Sequence, residues 1–306
     1  MEENRDFAQI SFGTFDIEHL GLNETLALNF LTEEINTKLT ELNKAETKEK
    51  RWAFLKIPHT KPDDFAEIQL QIADTKKIIA GIRHFNQQKD KAFVAIQTNF
   101  ITHKEELKDI YKQYLGNIFG KFSPQYLRYF TRQKIAADKI GSCFMVQRIA
   151  TILEESPYAE EQNITLISPQ NAAYYTWYEK EYQKFHLKNP SLAHSVPVND
   201  LAYMENSRAI NLLKEVHYNG QVIGLIAGIE ETFLGHAGIY MAEILLKESW
   251  KGLGLAKVVQ RKYLREINMP EKIVWGTIDF ANKPSLHTAL ANKREAIHYE
   301  NFIKIT

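Results

Sequence analysis

The chain has 306 residues, 44% of them hydrophobic and 25% charged, with 38 basic and 38 acidic side chains and no formal net charge. Its length suggests two domains of roughly 150 residues, and its composition is that of an ordinary globular protein. To residue 160 it has 22 basic and 23 acidic side chains, and beyond it 16 and 15. Neither half has the basic excess that a nucleic-acid binder needs to displace counterions.

A single cysteine, Cys143, excludes an intramolecular disulfide and a cysteine-based zinc cluster, and favours a reducing compartment. The acidic, polar opening is unlike a secretory signal. No apolar run approaches the roughly 18 residues of a membrane span. The expectation is a cytoplasmic protein with neither a membrane nor a nucleic acid as partner.

In chain order, residues 92–96 read as a strand. A helix follows, opening at Thr102-His103-Lys104-Glu105 with capping-box spacing and presenting Leu107, Ile110, Tyr111, Tyr114 and Ile118 on one face. Cys143-Phe144-Met145-Val146 reads as an apolar strand in which the thiol is inert packing. The polar, proline-containing stretch 155–163 separates the expected domains, 1–160 and 161–306.

Beyond it, 164–168 reads as a strand and Ser168-Pro169 as a helix start. Tyr174, Tyr178, Tyr182 and Phe185 then form a stripe at helical spacing, read as core, and Pro190 closes the helix. Asn219-Gly220 between two apolar segments signals a type I′ hairpin. A strand at 238–246, a helix at 253–267, a strand at 272–279, a short helix from Asn282 and a strand at 296–305 complete the chain. This half is α+β, built on one mostly antiparallel sheet.

The first half echoes the second. Ile79-Ala80-Gly81-Ile82 recurs as Ile226-Ala227-Gly228-Ile229, an offset of 228 − 81 = 147 residues. A polar stretch, an apolar strand and an amphipathic helix follow in both, which suggests internal duplication.

The segment that carries chemistry is Lys251-Gly252-Leu253-Gly254-Leu255-Ala256, between an apolar strand and an amphipathic helix. Two glycines there permit a tight turn whose amide N–H groups, at a helix N-terminus, suit a phosphate or pyrophosphate. Lys251 and Lys257 add positive charge. A dinucleotide-binding G-x-G-x-x-G fails at Lys257, and neither a P-loop nor a Gly-x-Ser-x-Gly elbow occurs. The histidines show no H-E-x-x-H spacing, so no metal is expected.

From this motif and the order of elements around it, residues 161–306 resemble the GNAT (GCN5-related N-acetyltransferase) superfamily. The family pattern [RQ]-x-x-G-x-[GA] reads here Ser249-Trp250-Lys251-Gly252-Leu253-Gly254, with both glycines present and Ser249 in the Arg/Gln place. Asn282 and Ser285 match the asparagine and small residue that open a later helix beside the pantetheine arm. The family's tyrosine acid, seven residues after that asparagine, is Ala289 here, and the usual Gly-Phe after the helix is replaced by Lys293-Arg294-Glu295.

The resemblance implies an N-acyltransferase that moves an acetyl group from acetyl-CoA directly to a primary amine of a small molecule, peptide N-terminus or lysine. The coenzyme would lie on Lys251–Ala256, with Ile244 and Leu245 of the preceding strand, Asn282 and Ser285. Backbone N–H groups around 242–245 would polarise the thioester carbonyl. Candidates for acid–base work are Glu243, Tyr240 and His236, and family members commonly carry a bulge in this strand, so alternation cannot assign faces.

The alternative reading is a non-catalytic acyl-CoA-binding or protein-interaction module on a GNAT scaffold, favoured by the missing tyrosine. Tandem members also occur among effectors delivered into host cells, and nothing in the chain marks export. Residues 1–160 read as a degenerate GNAT-like or accessory domain, because Thr98-Asn99-Phe100-Ile101-Thr102 at the cradle position has no glycine.

Overall fold

The computed structural model describes residues 4–305. Helices α1 (Arg5–Phe12), α2 (Glu24–Asn43) and α3 (Ala45–Leu55) lead to strands β1 (Ile68–Gln71), β2 (Lys77–His84) and β3 (Ala92–Thr98). Helix α4 (Lys104–Ile110) continues through a π-helical turn into α5 (Gly116–Phe119), and β4 (Tyr126–Thr131), β5 (Lys139–Arg148) and α6 (Ile149–Leu153) follow. Then come β6 (Ile164–Ile167), α7 (Tyr174–Lys188), α8 (Leu201–Ala209), β7 (Leu213–Tyr218), β8 (Gln221–Glu230) and β9 (Gly238–Leu246). The chain closes with α9 (Leu255–Ile267), β10 (Ile273–Asp279), α10 (Lys283–Ala291) and β11 (Glu295–Lys304). The class is α+β, with strands that pair mostly antiparallel and helices between them.

Two compact units form. One runs up to Ser142 and takes in the chain from Ile297 onward; the other is Cys143–Ala296. The division therefore falls earlier than the expected 160/161, within β5, and nearly all of the last strand belongs to the first unit. The polar stretch that suggested the boundary is instead a 3₁₀ turn, Ala159–Asn163, in which the Glu161 carboxylate accepts the Tyr158 N–H.

In the first unit β1–β2–β3–β4 are neighbours, with β3 and β4 parallel and β11 antiparallel to β4. Its core includes Phe65, Ile78, Ala80, Ile82, Val94, Leu107 and Phe119. In the second, the strand order is β5–β10–β9–β8–β7–β6, with β9 and β10 parallel. The face toward α9 packs Ile223, Ile226, Ile239 and Val274 with Val258, Val259 and Tyr263. The face toward α7 and α8 packs Leu213, Leu225, Ala227 and Leu245 with Tyr174, Tyr178, Tyr182 and Met204.

The repeat is structural. Shifted by 147, β1 to β4 fall on 215–218, 224–231, 239–245 and 273–278, the places of β7 to β10. Ala80 faces Ile96 as Ala227 faces Glu243. One step on, the halves part: Gly81 faces Ala95, whereas Gly228 faces Met241 and leaves Ala242 bulged.

The hairpin at Asn219-Gly220 has φ of 47° and 83°, the left-handed pair a type I′ turn requires. Helix α7 begins at Tyr174, with Ala173 as its N-cap, rather than after Ser168-Pro169. The Ser168 hydroxyl is spent on Asn211 and Lys214 and caps no helix. Helix α8, unforeseen in the sequence, is N-capped by Asp200, whose carboxylate accepts the Tyr203 N–H. Helix α4 is capped by His103, one residue later than the capping-box reading places it, while the Thr102 hydroxyl bonds Glu106.

Candidate active site

Strand β9 organises the site. It pairs with β10 over three residues, Gly238–Tyr240 against Ile273–Trp275, although the two run on to Leu246 and Asp279. Past Tyr240 they diverge. The bulge at Ala242 lies just beyond that point, on the β8 side. A bulge adds one residue to one strand and reverses the alternation that follows. Ile239 and Met241 therefore pack toward α9, yet Glu243 and Leu245 face α7 while Ile244 and Leu246 return to α9. Simple alternation would put Tyr240 and Glu243 on opposite faces; the bulge puts both on the α7–α8 face.

Glu243 is 7% exposed, and no cation stands within ion-pair distance of it among the described residues. Its Oε2 accepts hydrogen bonds from the Tyr178 hydroxyl at 2.7 Å, the Tyr182 hydroxyl at 2.7 Å and Asn199 Nδ2 at 3.4 Å. Burial drives its pKa above the ordinary carboxylate value, and the tyrosine and backbone donors hold it partly down. Both tyrosine pKa values are driven up by burial and by the neighbouring carboxylate, so the hydroxyls remain donors. The tyrosine stripe is core, as its spacing indicates, and two of its hydroxyls meet at the one buried acid on β9.

Asn199 is not legible in the sequence as a functional residue. Its Nδ2 also donates to Ala242 O at 3.2 Å, its N–H to the Tyr178 hydroxyl oxygen at 3.2 Å, and its carbonyl accepts the Tyr175 hydroxyl at 3.0 Å. It thereby ties the segment before α8 to the bulged residue. The Tyr240 ring packs edge-on against Trp275, and its hydroxyl lies 3.1 Å from Thr277 Oγ1. His236 is not brought to this group. It sits in the β8–β9 turn, bridged to Phe233, with Nδ1 2.9 Å from Leu234 O. It lies outside β9 and seven residues before Glu243.

The glycine segment turns from β9 into α9 through a 3₁₀ turn, Glu248–Trp250. Gly252 and Gly254 have φ of 79° and 73°, a region that side chains with a Cβ rarely adopt. A Cβ on Gly252 would meet nothing within 4 Å, and one on Gly254 only the Lys257 stem at 3.8 Å. The space in front of the turn is open, with Leu253 exposed beside it and Leu255 and Ala256 starting α9. Lys251 pairs with Glu248 at 3.1 Å and lies over the Phe185 ring, and Lys257 lies over Tyr158.

Asn282 caps α10, its side chain accepting the Ser285 N–H at 3.4 Å. Ala289, in the place of the family's tyrosine, is fully buried on that helix. His287 is exposed, and Asp279 caps the loop by accepting the Ala281 N–H. At the matching place in the first unit, α4 opens with Glu105 and Glu106 and has no glycine, and Ile96 stands where the offset puts Glu243. Among the described residues no group of three or more His, Cys, Asp or Glu side chains could hold a metal ion, and no helix is long and apolar enough to cross a membrane.

No protein-family model and no curated protein matches the chain. Among solved structures, it is similar to a GCN5-related N-acetyltransferase from Sphaerobacter thermophilus, at 14% identity over 77% of this chain and 82% of that one, with a TM-score of 0.47. It is also similar to an acetyltransferase of the GNAT family from Colwellia psychrerythraea, at 11% identity over 86% and 96%, TM-score 0.47. A third is a tandem GNAT protein from the clavulanic acid biosynthesis pathway, at 12% identity over 87% and 97%, TM-score 0.40.

Proposed function

We propose that the Cys143–Ala296 unit is an acyl-CoA-dependent N-acyltransferase, with acetyl-CoA the donor that the family resemblance implies and a primary amine the acceptor. The observation that carries this reading is the composition of one strand. β9 diverges from its parallel neighbour, bulges at Ala242 beside the divergence, and ends in a glycine turn with open space before a helix N-terminus.

The turn at Lys251–Ala256 suits the pyrophosphate through amide N–H groups and the helix dipole. The β9 edge beyond Tyr240, including Ile244 and Leu245, offers backbone groups to the amides of a pantetheine arm lying in the divergence. N–H groups near the bulge would polarise the thioester carbonyl. Asn282 and Ser285 would border that arm at the start of α10.

Glu243 acts as the base. Because Tyr178, Tyr182 and Asn199 enclose its Oε2, the amine proton reaches it through a tyrosine hydroxyl, which passes its own proton to Oε2 as it takes the incoming one. The amine nitrogen then attacks the carbonyl carbon, the C–N bond forms, the C–S bond breaks and coenzyme A leaves as thiolate. With Ala289 in the tyrosine place, solvent reprotonates the thiolate, whose ordinary thiol pKa of about 8.5 makes it a tolerable leaving group.

The test is release of free coenzyme A from acetyl-CoA by the full chain across a panel of primary amines. Amine-dependent release supports the reading. Tight acetyl-CoA binding with no release by any amine would favour a non-catalytic binding module.

A further inference from the structure

Arg294 is a departure from the family pattern that the proposed chemistry does not use. It stands between α10 and β11 with its guanidinium buried at 2% exposure. Nε and Nη2 both donate to one acceptor, Met145 O, at 3.2 and 2.8 Å. Among the described residues Nη1 makes no hydrogen bond and no carboxylate lies within ion-pair distance, and Nη1 is not wholly enclosed. Burial pulls its pKa down to about 10, and the groups that oppose the shift are Tyr240 and the Cys143 thiol. That thiol is itself pushed up to about 11 by burial, so it supplies no anion near neutral pH.

The guanidinium's position is specific. A Cβ on Gly276 of β10 would lie 3.1 Å from Arg294 Nη2 and 3.5 Å from Met241 O. Gly276 follows Trp275 and Met241 follows Tyr240, the last pair before β9 and β10 separate. The absent side chain at Gly276 thus admits the guanidinium to the apex of the divergence. Burying a cation without an anion is costly, and buried guanidinium groups are ordinarily matched by a carboxylate or phosphate. Here the protein supplies the cation and one carbonyl.

We infer that Arg294 anchors a carboxylate carried into the apex of the β9–β10 divergence by one of the two substrates. The carboxylate is either the far end of a dicarboxylic acyl group, as in a succinyl thioester, or the α-carboxylate of an amino-acid acceptor. In both cases it forms charge-assisted hydrogen bonds with the free edge of the guanidinium and takes no part in bond making. The transfer step is unchanged: C–N forms, C–S breaks, the thiolate leaves with the electron pair, and the amine proton goes to the base. This inference rests on the proposed acyltransferase reading.

Binding measurements test it, with no turnover required. In the first arm the full chain is titrated with acetyl-CoA, succinyl-CoA and free coenzyme A by calorimetry. In the second, the chain saturated with coenzyme A is titrated with amino acids and with the matching amines that lack the carboxylate. At least tenfold tighter binding of the carboxylated member in either arm, reduced to parity in Arg294→Met and partly kept in Arg294→Lys, is the expected result. The arm that shows the preference identifies the source. Equal binding within both pairs overturns the inference even if the variants fail to fold, since it is read on the wild type. A preference that survives in folded Arg294→Met overturns it as well. If coenzyme A and its thioesters bind in the first arm without discrimination, and the second arm shows none either, the acyltransferase reading stands while this one falls; if none of them binds, both fall.

Discussion

The Tyr182 hydroxyl donates to Glu243 Oε2 at 2.7 Å, joining the middle of α7 to the residue that follows the β9 bulge. Tyr178, one helical turn earlier, makes the same bond at the same distance. Two residues four apart on a helix thus converge on a single oxygen, which requires that Glu243 face α7. Only the extra residue at Ala242 turns it there.

Removing one donor should disturb the acid in a defined direction. Tyr182→Phe takes away a hydrogen bond that favours the ionised carboxylate, so the Glu243 pKa should rise further. The acidic limb of a kcat/KM profile should then move to higher pH, with a loss of about 1.5–3 kcal/mol in stability, the range for a hydrogen bond to a charged group. Denaturant unfolding and the pH–rate profile, measured on the same protein, check both. An unmoved limb would remove the tyrosine from proton transfer.

Glu243→Gln keeps shape and hydrogen-bonding capacity but removes the charge, and with it the proposed base. Turnover should fall at neutral pH and recover in part as pH rises and free amine accumulates. The stability effect has a definite sign. Since burial raises the folded carboxyl pKa above its unfolded value near 4.5, the stability it contributes is present below that value and is lost as pH rises through the folded pKa. The glutamine protein should therefore gain on wild type above pH 4.5 and show no such gain in more acid solution. A pH–rate profile identical to wild type would assign Glu243 to structure alone.

One acetyl-CoA should bind per chain. The first unit repeats strands of the second at an offset of 147, but its α4 opens with Glu105 and Glu106 where α9 follows Gly252 and Gly254. Carboxylates in the first turn of a helix satisfy the dipole and repel a pyrophosphate. A stoichiometry of two in calorimetry, or coenzyme A found at the start of α4, would contradict this.

Much of the second unit is legible in the sequence because local signals there agree with the fold. The Asn219-Gly220 turn, the tyrosine stripe of α7 and the glycine pair before α9 each need particular residues for local reasons. The geometry of the acid is not legible. A bulge leaves no mark in apolar–polar alternation, so Met241 and Glu243 read as one face although they lie on opposite ones. Asn199 sits in a polar segment with no periodicity, and its four hydrogen bonds depend on where α8 begins. The unit boundary escapes the sequence because the final strand, close in sequence to α10, pairs with the distant β4 through contacts such as Phe302 with Arg128.

If the turn at Lys251–Ala256 holds the coenzyme, Gly254 is the position where a side chain should interfere. At φ of 73° a valine is strained and projects its branched side chain into the open space before α9. Titration of folded wild-type and Gly254→Val protein with acetyl-CoA should show affinity reduced at least tenfold by the substitution. Unchanged affinity in a folded Gly254→Val protein would mean that the coenzyme does not lie on this turn.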